Sequence, residues 1–127
     1  MPTVLIVDDS PDVRSIVQTF LKRDACFKVC GEAGSGPEAI KKAEELKPDL
    51  ILLDLRMPGM NGIETATALK SVAPKAQIVL FSAFTESLAC TTLASSLGID
   101  LIVPKGSLID MAESLKTLTA RKQTPSL

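Results

Sequence analysis

The sequence predicts an α/β fold with a doubly wound, five-stranded parallel sheet in the order 2-1-3-4-5. Short aliphatic runs alternate five times with segments whose apolar residues recur every three or four positions, which is typical of strands and amphipathic helices in turn. Two runs, Val4–Val7 and Leu50–Leu53, contain no polar residue, as expected of strands buried on both faces. Such alternation favours a parallel sheet covered by helices, and right-handed crossovers leave few strand orders.

The first strand is predicted over Thr3–Val7 and is followed by the acidic pair Asp8 and Asp9. Ser10 is a candidate N-cap, and Pro11 suits the first helical turn. The helix that follows has one apolar stripe, formed by Val13, Ile16, Val17, Phe20 and Leu21. This unit therefore reads as a strand, an acidic turn and a helix.

The second unit is weaker. Residues 27–33 predict an edge strand, because they are the least apolar of the five runs. A loop at 34–37 leads into a helix whose stripe consists of Ala39, Ile40, Ala43 and Leu46. The third unit has Leu50–Leu53 as its strand, a breaker-rich loop at 57–62, and a helix with Ile63, Ala66, Leu69 and Val72 on its apolar face.

The last two units complete the pattern. Residues 76–82 and 100–103 predict the fourth and fifth strands, and helices are predicted over 88–96 and 108–118. Residues 119–127 are polar and contain a proline, which indicates a frayed tail or the start of a linker. We therefore expect one domain over residues 1–118.

Composition limits the possible chemistry. Apolar residues make up 46% of the 127 residues and the net charge is −1, so no bulk attraction to nucleic acid or to anionic membranes is expected. No apolar run is long enough for a membrane span or a signal peptide, which predicts a cytoplasmic protein. The chain has no histidine, which excludes a Ser-His-Asp triad and an HExxH zinc site. The three cysteines are interpreted as apolar filler rather than a disulfide framework.

Reactive residue types stand at the ends of four predicted strands. They are Asp8 and Asp9 after the first strand, Asp54 after the third, Ser82 at the end of the fourth, and Lys105 just past the fifth. The carboxyl ends of parallel strands share one edge of the sheet, and the first strand is expected at the point where the strand order reverses. We therefore expect these side chains to line one crevice.

Their chemistry matches phosphoryl transfer to an aspartate. Clustered carboxylates repel one another unless a proton or a cation lies among them, and Mg²⁺ prefers oxygen ligands. Lys105 and the Ser82 hydroxyl suit phosphate oxygens, which leaves Asp54 as the nucleophile. Taken singly, each residue has an ordinary explanation as a helix cap, a strand-end serine or a solvated lysine. The prediction depends on four strand ends agreeing.

The sequence resembles the receiver domain of bacterial two-component response regulators, which has the flavodoxin-like (βα)5 fold. The matching motifs are Val4–Asp9, Leu52–Leu55 with the loop at 57–62, Leu80–Ala83, and Lys105. Together they span residues 3 to about 118, and residues 57–71 are similar to NarL-type receivers.

The resemblance implies a role for each site residue. Asp54 would accept phosphate from the phosphohistidine of a sensor kinase or a phosphotransfer protein. Mg²⁺ would be bound by Asp8, Asp9, Asp54 and the backbone carbonyl of Arg56, with Asp8 acting through water. Ser82 would be the hydroxyl that moves toward the phosphate, and Lys105 would pair with it. Such a domain catalyses only its own phosphorylation and dephosphorylation and is not a turnover enzyme.

Two departures from the family concern how the signal is transmitted. The family usually has an aromatic residue three positions before the lysine, and this chain has Ile102. The lysine is usually followed by a proline in a cis bond, whereas here Pro104 precedes it and Gly106 follows it. The face formed by helix four, strand five and helix five is expected to bind the output, and these departures predict that it switches differently.

Several alternatives stay open at this point. The output could be a separate protein or a C-terminal DNA-binding domain outside this chain, and phosphorylation could drive homodimerisation. A degenerate receiver would bind partners without phosphorylation. A phosphatase of the haloacid dehalogenase type would require an acid two residues after the nucleophile, where this chain has Arg56.

Overall fold

The computed structural model describes residues 2–24, 27–54, 62–82 and 101–104, together with Glu113 and Leu115. Its five strands form one sheet in the order β2-β1-β3-β4-β5, and every neighbouring pair is parallel. The strands are β1 (Thr3–Val7), β2 (Lys28–Ala33), β3 (Leu50–Leu53), β4 (Gln77–Ser82) and β5 (Leu101–Pro104). The helices are α1 (Pro11–Asp24), α2 (Gly36–Leu46) and α3 (Gly62–Val72). The predicted parallel α/β architecture is confirmed, with β2 at an edge.

The two remaining predicted helices lie largely outside the described residues. Of the segments 88–96 and 108–118, the structure describes only Glu113 and Leu115, and both are helical. No helix among the described residues has the length and apolar character needed to cross a membrane. No cis peptide bond occurs in the described part of the chain, which includes Val103 and Pro104.

The apolar core consists of two layers, one on each face of the sheet. Leu5, Val7, Ile51 and Leu53 point to one face, where residues of α2 and α3 cover them. The alternate strand positions point to the other face, where they pack with residues of α1 and with Leu115. Side chains of a strand alternate between faces, so an unbroken apolar run is needed when both faces are covered. This explains the continuous aliphatic sequences of β1 and β3.

The apolar stripe of α1 is narrower in the structure than the sequence predicts. Val17 and Leu21 are buried and Val13 packs against them, but Ile16 is 54% exposed. Val13, Val17 and Leu21 are four residues apart and follow one line along the helix, and this line packs against the core while Ile16 lies beside it. The predicted stripe of α2 is wrong in the same way at Leu46, which is 42% exposed.

The helices α1 and α2, which follow the carboxyl ends of β1 and β2, begin at serine caps. The Ser10 hydroxyl accepts a hydrogen bond from Val13 N at 3.3 Å, as the sequence predicts. Ser35 is the N-cap of α2 and accepts from Glu38 N at 3.3 Å. Side-chain oxygens at these positions satisfy amides that the helix itself leaves without partners.

Candidate functional site

Three of the predicted site residues come together at the carboxyl edge of the sheet. A carboxylate oxygen from each of Asp8, Asp9 and Asp54 lies within 4.8 Å of the other two. Asp8 and Asp54 are buried, with 2% and 5% of their surface exposed, whereas Asp9 is exposed. The cluster therefore has a buried floor and one acid open to solvent.

Backbone hydrogen bonds just beyond the strands place these acids. The Asp8 amide donates to the carbonyl of Ala33 at 3.0 Å, and the Asp54 amide donates to the carbonyl of Val7 at 2.9 Å. Each bond continues a parallel ladder by one step past the strand end. The positions of Asp8 and Asp54 are thus set by the register of β1 against β2 and β3.

The carboxylate of Asp8 is oriented by the turn that follows it. Its Oδ1 atom accepts a hydrogen bond from Ser10 N at 2.9 Å. Its Oδ2 atom is buried and accepts no hydrogen bond from the described residues, although Asp8 makes a further polar contact. This turn places the carboxylate and starts α1 at the same residue, Ser10.

The charge at this cluster favours a cation. One carboxylate oxygen of each acid lies within 4.8 Å of the others, and two unit charges at about that distance repel by about 3 kcal/mol at an effective dielectric constant of about 20. Asp8 and Asp54 are too buried for water to screen them fully. A donor set of carboxylate oxygens with one acid open to solvent fits Mg²⁺, which keeps several of its waters. The residues present therefore fit the predicted ion.

The structure describes the backbone of two further predicted residues, Ser82 at this edge and Ile102 within β5. Val7 pairs with Leu53, and Leu53 pairs with Leu80. Ser82 ends β4 two residues after Leu80, so its backbone lies at the same edge as Asp54. Ile102 pairs with Leu80, one strand further along. Arg56 and Lys105 lie outside the described residues.

Sequence reasoning missed one residue beside this cluster, Arg14. Its Nη1 atom donates to the backbone carbonyl of Asp8, and its Nε atom bonds the Glu32 carboxylate at 3.1 Å. The available signal was an acid in a predicted edge strand and an arginine in the first turns of the preceding helix. Their pairing could not be read from the sequence, since 18 residues separate them.

A cavity of about 830 Å³ lies at the opposite edge of the sheet. It is lined by the ends of α2 and α3 and the turn before β4, and it includes Asp49 and three lysines, Lys47, Lys70 and Lys75. Asp49 is held there by Thr3, whose amide and hydroxyl donate to its Oδ2 at 2.8 and 3.1 Å. This cavity is therefore separated from the acid cluster by the length of the strands.

Cys30 is the cysteine that the structure describes, and its thiol is free of disulfides. The thiol lies 3.4 Å from the carbonyl oxygen of Val4, to which it donates. Burial raises the pKa of the Cys30 thiol above its ordinary value, more than its hydrogen bonds lower it. This agrees with the predicted role of cysteine as filler, since a neutral thiol is a poor nucleophile and metal ligand.

Comparison with protein families identifies the fold and the family. Residues 4–117 match the family model of the response regulator receiver domain. The chain belongs to this family. The predicted receiver fold is thereby confirmed, as is the membership of a response regulator family.

Individual relatives agree with the NarL-type character that the sequence predicts. The chain is 46% identical over 80 residues to the nitrate/nitrite response regulator NarL of Escherichia coli, which covers 63% of this chain and 37% of that protein. It is 41% identical over 103 residues to a protein-glutamate methylesterase/protein-glutamine glutaminase of Nocardioides, which covers 80% of this chain and 28% of that protein. The receiver domain of a NarL from Mycobacterium tuberculosis superposes with a TM-score of 0.85 at 30% identity, covering 97% of this chain and 98% of that one.

The chain spans about a third of the length of these two curated relatives. One is named as a nitrate/nitrite response regulator and the other as an enzyme acting on protein glutamate and glutamine side chains. Similar receiver segments thus occur in proteins with different activities. What this receiver controls has to be argued separately.

Proposed function

We propose that this receiver is a phosphorylation switch in which Asp54 accepts the phosphoryl group of a phosphohistidine. The observation that carries the proposal is the convergence of Asp8, Asp9 and Asp54 within 4.8 Å at the carboxyl edge of the sheet. Asp54 directly follows the central strand β3, and its amide is hydrogen-bonded to the carbonyl of Val7 in β1. A nucleophile on a rigid strand end is well suited to in-line attack.

The chemistry is a transfer between two nucleophiles. A carboxylate oxygen of Asp54 attacks phosphorus, the bond from phosphorus to the histidine nitrogen breaks, and the imidazole leaves with the electron pair. The product is an acyl phosphate on Asp54. Hydrolysis later returns the carboxylate and inorganic phosphate, so the chain catalyses only its own modification and its reversal.

Asp8, Asp9, Asp54 and the backbone carbonyl of Arg56 would hold Mg²⁺, with Asp8 acting through water. When bound, the ion neutralises the charge that develops on the phosphoryl oxygens. Asp8 and Asp9 bring the negative charge that attracts the ion, while Ser10 and the β1 backbone keep Asp8 in place. The donor types and the burial of two of the three acids support this assignment.

Ser82 and Lys105 are proposed as the groups that respond to the phosphate. Ser82 would donate to a phosphoryl oxygen, and Lys105, the residue after β5, would supply a positive charge. Their movement would shift a two-state equilibrium of the face formed by β5 and the predicted fourth and fifth helices. Ile102 would transmit this shift without the swing of an aromatic ring.

The partners follow from the same proposal. A histidine kinase or a phosphotransfer protein would supply the phosphoryl group. The output would be a separate protein or a C-terminal DNA-binding domain linked through residues 119–127, with residues 1–118 as the receiver itself. Binding of nucleic acid by this chain is not proposed, because its net charge is −1. Homodimerisation on phosphorylation and a cytoplasmic location stay predictions.

Intact-mass measurement after incubation with acetyl phosphate and Mg²⁺ tests the proposal. We expect the parent protein to gain one phosphoryl mass and Asp54→Asn to gain none. Glu44→Gln, which removes an exposed acid on α2, is the matched control and should label like the parent. Equal labelling of Asp54→Asn would refute the assignment of Asp54.

Two other results would favour the alternatives from the sequence. A folded parent protein that neither labels nor binds beryllofluoride would be a degenerate receiver that acts by binding alone. Repeated turnover of small phosphate esters would indicate a phosphatase of the haloacid dehalogenase type.

A further inference from the structure

Arg14 connects three elements beside the acid cluster. It lies in the first turns of α1, and its Nη1 atom donates to the backbone carbonyl of Asp8. Its Nε atom contacts Glu32 Oε1, on the edge strand β2, at 3.1 Å. One guanidinium thus joins α1 and β2 to the peptide that links the two adjacent acids Asp8 and Asp9.

The surroundings hold this guanidinium in one orientation. Its side chain is only 18% exposed. A methyl group built on Gly34 would lie 3.2 Å from Nη1, so the backbone after β2 closes against the guanidinium. Lys42 of α2 donates to the carbonyl of Glu32, which fixes the strand that carries the acid. The fork of an arginine suits such a site because its donors point in set directions.

Arg14 could act on the acid cluster through its charge or through its position. As a charge, it would compete with a metal ion, and its removal would strengthen metal binding. Its charge is already paired with Glu32 at 3.1 Å, so the net field that reaches the carboxylates is small. Pairing with Glu32 does not cancel the hydrogen bond from Arg14 to the Asp8 carbonyl. That bond orients the peptide between Asp8 and Asp9. Position therefore outweighs charge.

We propose that Arg14, held by Glu32, is a positioning residue for divalent metal at the cluster of Asp8, Asp9 and Asp54. The inference rests on the proposed function for the identity of the metal site. By fixing the carbonyl of Asp8, Arg14 sets the direction in which the two adjacent carboxylates leave the backbone. Its loss raises the Mg²⁺ concentration needed to fill the site, and it leaves the phosphoryl-transfer step itself intact once Mg²⁺ is saturating.

Calorimetric titration of the unphosphorylated protein with Mg²⁺ tests this without any reference to activity. We expect Arg14→Gln to weaken Mg²⁺ binding by about tenfold, the low end of the 10–100-fold range for residues that orient metal ligands. Glu32→Gln should weaken binding in the same direction, since Arg14 then loses its anchor. Arg23→Gln removes the same charge from an exposed position on α1 and should change the affinity less than twofold by comparison.

The pattern across variants separates position from charge. Arg14→Lys keeps the charge but not the two-directional fork, so it should behave like Arg14→Gln. The double variant of Arg14→Gln and Glu32→Gln should be no weaker than Arg14→Gln alone, because the two residues act through one contact. Tighter Mg²⁺ binding by Arg14→Gln, or binding equal to the parent, would overturn the proposal. Should Arg14→Gln fail to fold by circular dichroism, Arg14→Lys and Glu32→Gln decide the matter by the same criterion.

Labelling with acetyl phosphate then distinguishes this proposal from the previous one. At saturating Mg²⁺ the Arg14→Gln variant should label at the parent's rate, and at low Mg²⁺ it should label more slowly. A parent protein that binds Mg²⁺ but takes up no phosphoryl group would refute the function proposed for Asp54 and would leave the positioning role of Arg14 standing. A labelling defect of Arg14→Gln that persists at saturating Mg²⁺ would refute the positioning role of Arg14 and would leave the function of Asp54 standing.

Discussion

The backbone amide of Asp54 donates a 2.9 Å hydrogen bond to the carbonyl of Val7, the last residue of β1. This single bond joins the end of β3 to the residue that precedes the acidic pair. Because the strands are parallel and in register there, the carboxylates of Asp8 and Asp54 meet at one edge although 46 positions separate them in the sequence. The site is thus assembled by pairing of β1 with β3, and its behaviour can be tested through these residues.

Asp8→Asn is expected to stabilise the metal-free protein. The variant keeps an oxygen that can accept from Ser10 N. It removes the negative charge of one of the two buried acids, Asp8 and Asp54, whose mutual repulsion is on the order of 3 kcal/mol. We expect the free energy of unfolding in urea with a chelator present to rise by on the order of 1–3 kcal/mol. Glu44→Gln, an exposed acid on α2, should change it by less than about 0.5 kcal/mol. A lower free energy of unfolding for Asp8→Asn would show that other contacts of Asp8 outweigh the repulsion.

Mg²⁺ is expected to stabilise the parent protein and to lose this effect when the cluster is altered. A ligand that binds only the folded state adds about 2.7 kcal/mol at 100 times its dissociation constant. Thermal unfolding with and without Mg²⁺ measures the shift. It should shrink in Asp54→Asn, since one of the three carboxylates is then neutral, and persist in Asp49→Asn, whose carboxylate lies at the other edge of the sheet. An equal Mg²⁺-induced shift of the unfolding temperature in both variants would show that the ion binds away from the acid cluster.

Asp49→Ala is expected to lower stability without reducing phosphorylation. The Asp49 carboxylate accepts two hydrogen bonds from Thr3, and its backbone bonds both β1 and β4. Loss of the carboxylate leaves the Thr3 donors to water at the start of β1, which should cost about 1–3 kcal/mol of unfolding free energy. Asp49→Asn retains an acceptor oxygen and should cost less. Reduced labelling at Asp54 in the folded Asp49→Ala protein would mean that the two edges of the sheet are coupled.

Cys30 is expected to react slowly with alkylating reagents in the folded protein. Burial raises the pKa of its thiol, so less thiolate is present at about pH 8.5 than in the unfolded chain. Peptide mapping after iodoacetamide treatment, in buffer and in urea, measures the rate at this cysteine alone. A rate in buffer equal to that in urea would contradict the raised pKa.

The same shift predicts how stability depends on alkaline pH. The folded pKa lies above the unfolded one, so folding favours the neutral thiol. The stability from this preference is fully present below the unfolded thiol pKa and is lost as pH rises through the folded pKa. Cys30→Ala should therefore flatten the decline in unfolding free energy above about pH 8.5. A decline of the same steepness in Cys30→Ala would assign it to another group.

Much of the described fold could be predicted because its signals are local. The aliphatic runs of β1 and β3 marked strands buried on both faces, and the structure gives those strands the predicted bounds. The ends of the other strands differ from the prediction by one residue. β2 begins at Lys28 and β4 at Gln77, one residue later than predicted, and β5 begins and ends one residue later. Phe27 and Ala76 are buried although they lie just outside the strands, so their apolar character indicates a place in the core and not in a strand.

The helix faces were predicted less well because periodicity does not set the width of a contact. Ile16 and Leu46 fit the apolar spacing of α1 and α2, but 54% and 42% of their surface is exposed. Which residues of a stripe are covered depends on how the helix lies against the sheet, and that depends on partners distant in sequence. For the same reason Arg14 could not be placed beside Asp8 from the sequence.

Patterns along the chain were sufficient for the fold class, the edge position of β2 and the convergence of Asp8, Asp9 and Asp54 at one edge of the sheet, because alternation and strand ends are local features. The distance between the carboxylates, the exposure of Asp9 alone among them, and the contact of Arg14 with both Asp8 and Glu32 required the folded chain. These depend on strand register and helix placement, in which residues far apart in sequence are brought within hydrogen-bonding distance.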